Sequence, residues 1–156
     1  MEQTTERLTI ERTIDIEASP ETVWRLLTDE QEAKRWWGLD ASFDPTPGGE
    51  FVLNVVSGSI VRGIFLEVEP PRRLVYTFGW EKRNDGGHEL TPPGSTTVEI
   101  LLVPTDDGTT LTLTHRGLAD ETEAEQHGVG WEHYLGRLAI TAAGGDPGPD
   151  PWLRQS

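Results

Sequence analysis

Two polar residues fall where strand patterns would otherwise be uniformly apolar. Arg12 sits in the run Leu8, Ile10, Arg12, Ile14, Ile16 of "RLTIERTIDIEA", and His115 continues the run Leu111, Leu113, His115 of "TTLTLTHRG". Side chains of a strand alternate between faces, so both residues share a face with aliphatic neighbours and project inward near strand ends. A buried polar group must be paired or must perform a task. An imidazole so placed orients a ligand or exchanges a proton near neutral pH, which makes His115 the candidate catalytic residue, with Tyr76 or Arg12 as helpers. The plainer alternative is a satisfied histidine at the rim and an arginine that snorkels or pairs with an acid.

A second chemical signal is aromatic. Trp36 and Trp37 are adjacent in "AKRWWGLD", and neighbouring helical positions differ by about 100°, so two indoles cannot both point straight into the same core. One reading has Trp36 packing the helix and Trp37 leaning over the mouth of a pocket; the other has both sealing the core. Strand parity adds Phe51, Leu53 and Val55; Ile64 and Leu66; Tyr76, Phe78 and Trp80; Val98, Ile100 and Leu102. The candidate ligand-binding set is Trp37, Phe51, Leu53, Ile64, Tyr76, Phe78, Trp80, Ile100, Leu113, His115, Trp131 and Leu135. A dry void of about 300 Å³ would cost on the order of 7 kcal/mol, so a real cavity holds water or ligand, or collapses when empty.

Other chemistries lack their residues. His127 and His133 are six apart, about 240° around a helix, and do not form a one-face metal pair; His88 stands alone in a loop. "VSGSI" lacks the glycine spacing of a nucleophile elbow, no glycine loop suits a phosphate, and "TDDG" lacks the oxygens of a calcium loop. No cofactor or metal is expected. The run "DETEAE" reads as a solvated helix start.

These residues need elements to position them. "RLTIERTIDIEA" predicts a half-buried strand. Ser19 as N-cap and Pro20 at the first helical position open a helix with Val23, Trp24, Leu26 and Leu27 on its apolar face. Thr28 and Gln31 fit a capping box for a second short helix ending at Gly38. From Gly49 to Arg116, strands alternate with turns at Gly58, Pro70-Pro71 and the hairpin signal Asp107-Gly108. The polar loop "KRNDGGHELTPPGS" frames an opening. Asp120 and Glu123 cap a long helix whose inner face carries His127, Trp131, Tyr134, Leu135, Leu138 and Ala142. Gly128, Gly130 and Gly136 weaken that helix and are expected to allow close approach to the sheet or room for a ligand. An antiparallel sheet with one apolar face needs a cover, and this helix supplies it. The fold class is α+β: a curved antiparallel sheet of about six strands around a long C-terminal helix, with two short helices after the first strand. Residues 1–143 form the single domain. Residues 144–156 form a Pro/Gly-rich tail in which Trp152 docks locally.

With 13 Lys and Arg against 27 Asp and Glu, the net charge of −14 repels nucleic acid and anionic membranes alike. The 156 residues include no cysteine, which excludes disulfides and thiolate chemistry and suits a reducing compartment. No apolar run approaches the roughly 20 residues of a bilayer span, and the N-terminus lacks the pattern of a signal peptide. The expectation is a soluble cytoplasmic protein without stable membrane insertion.

"IERTIDIEASPETVWRLLTD…RWWG", "GIFLEVEPPRRLVYTFGWE", "GTTLTLTHRGL" and "GWEHYLGRL" together resemble the activator of heat-shock protein 90 ATPase homologue-like family, over residues 8 to 142. That family belongs to the START-related, or SRPBCC, helix-grip superfamily. The resemblance implies a sheet gripping the last helix around a deep cavity that takes hydrophobic ligands. It does not imply one function. Three expectations follow in order: binding of a small apolar or amphipathic molecule, an enzyme of cyclase, hydrolase or dehydratase type in the same cavity, and a chaperone-associated interaction module. Edge strands leave a homodimer open.

Overall fold

The computed structural model describes residues 7–38, 40–56, 59–83 and 91–151; Gly58, His88 and Trp152 lie outside them. The chain runs β1 (Leu8–Ile16), α1 (Pro20–Thr28), α2 (Glu30–Ala33), β2 (Asp40–Phe43), β3 (Glu50–Val56), β4 (Ser59–Glu69), β5 (Arg73–Phe78), β6 (Trp80–Lys82), β7 (Thr96–Thr105), β8 (Gly108–Leu118) and α3 (Glu121–Ala142). The eight strands form one antiparallel sheet in the order β1-β8-β7-β5-β4-β3-β2, with β6 pairing β4. The sequence pattern predicts about six strands; β2 and β6 are the short additions.

Alternation is clean in β1, where the half-buried face carries Leu8, Ile10, Arg12 and Ile14. It is equally clean in the inward faces of β3 (Phe51, Leu53, Val55) and β7 (Val98, Ile100, Leu102), and in β8 (Leu111, Leu113, His115) it holds until Thr114, which is buried as well. In β4 the parity is opposite to the expected one. Val61, Gly63 and Phe65 face inward, while Ile64 and Leu66 are 47% and 46% exposed. Ile64, Phe65 and Leu66 are consecutive apolar residues, so period 2 cannot tell one face from the other there. The register comes from pairing: Gly63 stands opposite Phe51, and a Cβ at Gly63 would lie 1.8 Å from the Thr77 carbonyl oxygen. The strand can pass that point only as glycine. Ile64 therefore leaves the candidate ligand-binding set.

Ser19 caps α1 by accepting from Thr22 N. The cap of α2 is Asp29, not Thr28: its carboxylate accepts from the backbone of Gln31 and Glu32, while the Thr28 hydroxyl turns back to the Trp24 carbonyl. An ionised side chain is the stronger acceptor for orphan helix N–H groups, which settles the choice between neighbours. Asp120 caps α3 as expected.

The backbone of α3 approaches β1 and, more sparsely, β8. Gly128 is the contact point: a Cβ there would lie 2.5 Å from Arg12 Nη2, and Arg12 Nε donates to Glu132 at 2.9 Å. Nothing lies within 4 Å of a Cβ at Gly130 or Gly136, so these two glycines neither bring the helix close to the sheet nor make room inside it. Between α3 and the strands beyond β8, the space is crossed by side chains, most of them rings.

Candidate functional site

The paired tryptophans divide their work. Trp36 Nε1–H donates to the Leu26 carbonyl at 2.8 Å and ties the turn after α2 to α1. Trp37 stacks on it at 5.0 Å and reaches Phe51 at 6.0 Å, Trp131 at 5.3 Å and Tyr134 at 6.2 Å between ring centroids. With 6% exposure, Trp37 faces the interior rather than a mouth. Among the described residues its indole N–H has no hydrogen-bond partner.

On the sheet side, Phe51 stacks between Phe43 at 4.8 Å and Tyr76 at 4.4 Å, and Phe65 meets Tyr76 edge-on. Tyr76 is 1% exposed, and burial alone raises its pKa, so the phenol stays a neutral donor. Its hydroxyl also has no hydrogen-bond partner among the described residues. Leu53, Ile100, Leu113 and Leu135 are buried in the same cluster.

Towards the start of α3 the rings carry heteroatoms, and these are bonded. Trp131 Nε1–H donates to His115 Nδ1 at 3.0 Å, so His115 carries its proton on Nε2 and donates to Thr96 Oγ1 at 2.8 Å. Thr96 passes the chain to the Phe78 carbonyl at 2.5 Å. Trp80 Nε1–H likewise donates to His127 Nε2 at 3.0 Å, and His127 Nδ1–H donates to the Glu123 carbonyl one turn earlier at 2.7 Å. The two imidazoles meet edge to face at 5.3 Å, with Phe78 4.8 Å from His115. Burial, then the nearby His127, hold the His115 pKa well below the usual histidine range. His115 is fully enclosed and both its nitrogens are bonded within the ring cluster, which fixes the orientation of the imidazole and of Trp131.

Next to this chain, the Glu123 carboxylate is 2% exposed. It accepts from Arg83 Nη1 at 3.2 Å and from the Thr91 hydroxyl at 2.6 Å. At the other end of α3, Arg137 donates to the carbonyls of Trp36, Pro147 and Gly148. His133 Nε2 meets Asp150 at 2.8 Å. Burial, then the Asp150 charge, raise the pKa of the neighbouring Tyr134 phenol. A crevice of about 370 Å³, lined by Arg35, Thr141, Gly145, Asp146 and Pro147, lies at this end. Among the described residues no group of three or more His, Cys, Asp or Glu side chains could hold a metal ion.

The structure thus brings together Trp37, Phe51, Tyr76, Phe78, Trp80, His115 and Trp131 as rings in mutual contact. Sequence reasoning passed over His127, Thr96 and Glu123 as site residues. Two of these left a signal: Thr96 shares parity with Val98 and Ile100, and His127 stands one turn before Trp131 on the inner face of α3. Glu123 left none beyond its role near the cap.

Comparison with known proteins agrees with this architecture. An AHSA1-like protein from Rhizobium etli is 42% identical, with a TM-score of 0.76 over 100% of this chain and 95% of that one. CalU16 from Micromonospora echinospora is 28% identical, with a TM-score of 0.68 over 97% and 89% of the two chains. The Aha1 dimer from Colwellia psychrerythraea, 21% identical with a TM-score of 0.71 over 87% and 96%, shares the fold. No curated protein matches the chain. No helix among the described residues is long and apolar enough to cross a membrane. Residues 17–143 match the family described as Activator of Hsp90 ATPase homolog 1-like protein, and with a helix-grip sheet around α3 the chain belongs to that family.

Proposed function

We propose that this protein binds a small, uncharged, amphipathic molecule between the sheet and α3: an apolar, flat or extended skeleton that carries a hydrogen-bond acceptor. The observation that supports this reading is the Tyr76 hydroxyl, a neutral donor on a side chain 1% exposed and without a hydrogen-bond partner among the described residues. A ligand carbonyl or ether oxygen that accepts from it would gain about 0.5–1.5 kcal/mol. The Trp37 N–H adds a second such donor in the same ring cluster. Charge points the same way, since the buried carboxylates at the two ends of α3 already have cationic or imidazole partners. The rings themselves are the binding surface: closed on one another when empty, as the cost of a void requires, and parted by a guest.

Native mass spectrometry of freshly purified chain, with titration of tryptophan fluorescence against uncharged carbonyl compounds and their carboxylate analogues, tests the reading. Uncharged compounds are expected to quench saturably. Tyr76→Phe should weaken their binding about tenfold, the value of one hydrogen bond. No bound species and no quenching by any compound would reject the proposal.

A further inference from the structure

Burying two ions costs most of what their attraction returns, and an apolar pair of the same volume often stabilises a fold as well or better. The Arg83–Glu123 pair joins a buried carboxylate to a largely enclosed guanidinium, at 3% and 10% side-chain exposure. Its placement is specific. Arg83 directly follows β6, Thr91 precedes β7, and one oxygen of Glu123 on the first turn of α3 accepts from both. Arg83 also donates to Gln126 Oε1 at 2.9 Å and lies over the Trp80 ring, 5.4 Å from its centroid. Trp80 in turn donates to His127, which bonds the Glu123 carbonyl. One carboxylate therefore holds two separate stretches of chain to the helix, beside the end of the ring cluster formed by Phe78, Trp80, His115 and His127.

We propose that Glu123 is a latch: when its bonds to Arg83 and Thr91 part, the N-terminal end of α3 opens a path from solvent to Trp80 and Trp131. An ion pair suits that task. Water repays the desolvation of both charges as soon as they separate, so this closure opens more readily than an apolar contact of equal area. The far end of α3 is held differently, chiefly by bonds from Arg137 to backbone carbonyls, with the His133–Asp150 pair beside them. That the path admits a guest rests on the function proposed above; the opening itself does not.

Hydrogen exchange of the indole N–H groups, followed residue by residue by NMR in the full chain, tests the latch without any ligand. Trp80 and Trp131 report on the latch end, and Trp36, bonded to the Leu26 carbonyl, is the remote reference. Glu123→Gln should speed exchange at Trp80 and Trp131 about tenfold and leave Trp36 within about twofold of its rate. No acceleration at Trp80, or equal acceleration at all three, overturns the proposal. Should Glu123→Gln fail to fold, the double variant Arg83→Met/Glu123→Leu keeps the volume without the charges. It should exchange Trp80 more slowly than wild type; exchange as fast or faster overturns the latch. With a compound found by titration, Glu123→Gln should raise the on-rate and off-rate by one common factor at constant Kd. A changed Kd at constant rates would make Glu123 a ligand contact and overturn the latch. If nothing binds, the functional reading falls while indole exchange still decides the latch.

Discussion

The first and last turns of α3 are fastened by different chemistry. At its start, side chains bond to side chains: Glu123 to Arg83 and Thr91, His127 to Trp80, Trp131 to His115. Each bond there needs two particular residues. At its end, Arg137 donates to the carbonyls of Trp36, Pro147 and Gly148, acceptors that any residue at those positions would present. The contrast separates specificity from strength. The first arrangement encodes a unique set of partners and is vulnerable to single changes, whereas the second draws three bonds from one donor to backbone acceptors beside the single side-chain pair His133–Asp150.

The largest test of that contrast is Glu123→Ala, which takes the buried carboxylate away from both Arg83 and Thr91. It should cost about 3–5 kcal/mol in urea unfolding, and a loss below about 1 kcal/mol would mean that the pair is solvated and the contrast is false. Arg137→Ala should cost less, about 1–3 kcal/mol, because freed carbonyls near the surface can turn to water. Its signature is local: limited proteolysis should cut within residues 144–151 well before the body of the domain is attacked.

Acid sharpens the comparison from the side of the histidines. The folded pKa of His115 lies well below that of the unfolded chain, so the folded state refuses a proton that the unfolded state takes up. Its contribution to stability is present above the unfolded value of about 6.5 and falls by up to about 1.4 kcal/mol per pH unit below it. Denaturant midpoints of wild type and His115→Gln, compared between neutral and mildly acid pH, should show the steeper loss in wild type. Parallel slopes would remove His115 from the acid response. The smallest expected effect is a gain. Gly136 is exposed and nothing lies near its missing Cβ, so Gly136→Ala should add up to about 1 kcal/mol through helix propensity. Indole exchange at Trp80 and Trp36 should then slow together, a baseline against which one-ended effects stand out.

The inward faces of β1, β3, β7 and β8 are legible in the sequence because nine, seven, ten and eleven residues give period 2 room to declare itself. In β4 the consecutive Ile64, Phe65 and Leu66 erase the alternation, and only the pairing of Gly63 with Phe51 restores a face. Strands of four and three residues, Asp40–Phe43 and Trp80–Lys82, carry too few alternations to register. Thr28 and Asp29 are both capable caps, and local spacing alone does not rank them. The partners of Glu123 lie 32 and 40 residues away in sequence, so its second role leaves no periodic trace at all. The division of work between Trp36 and Trp37 has the same character, since which indole meets a carbonyl depends on where α1 ends in space.

The match to the family as a whole covers residues 17–143, yet Arg137 reaches forward to Pro147 and Gly148, and His133 to Asp150. A chain trimmed at residue 143 would strip two acceptors from a guanidinium and a carboxylate from an imidazole, and would uncover Tyr134 beside Trp37. Cohesion here runs past residue 143, and shortening or fusing the chain at that point disturbs what the helix holds.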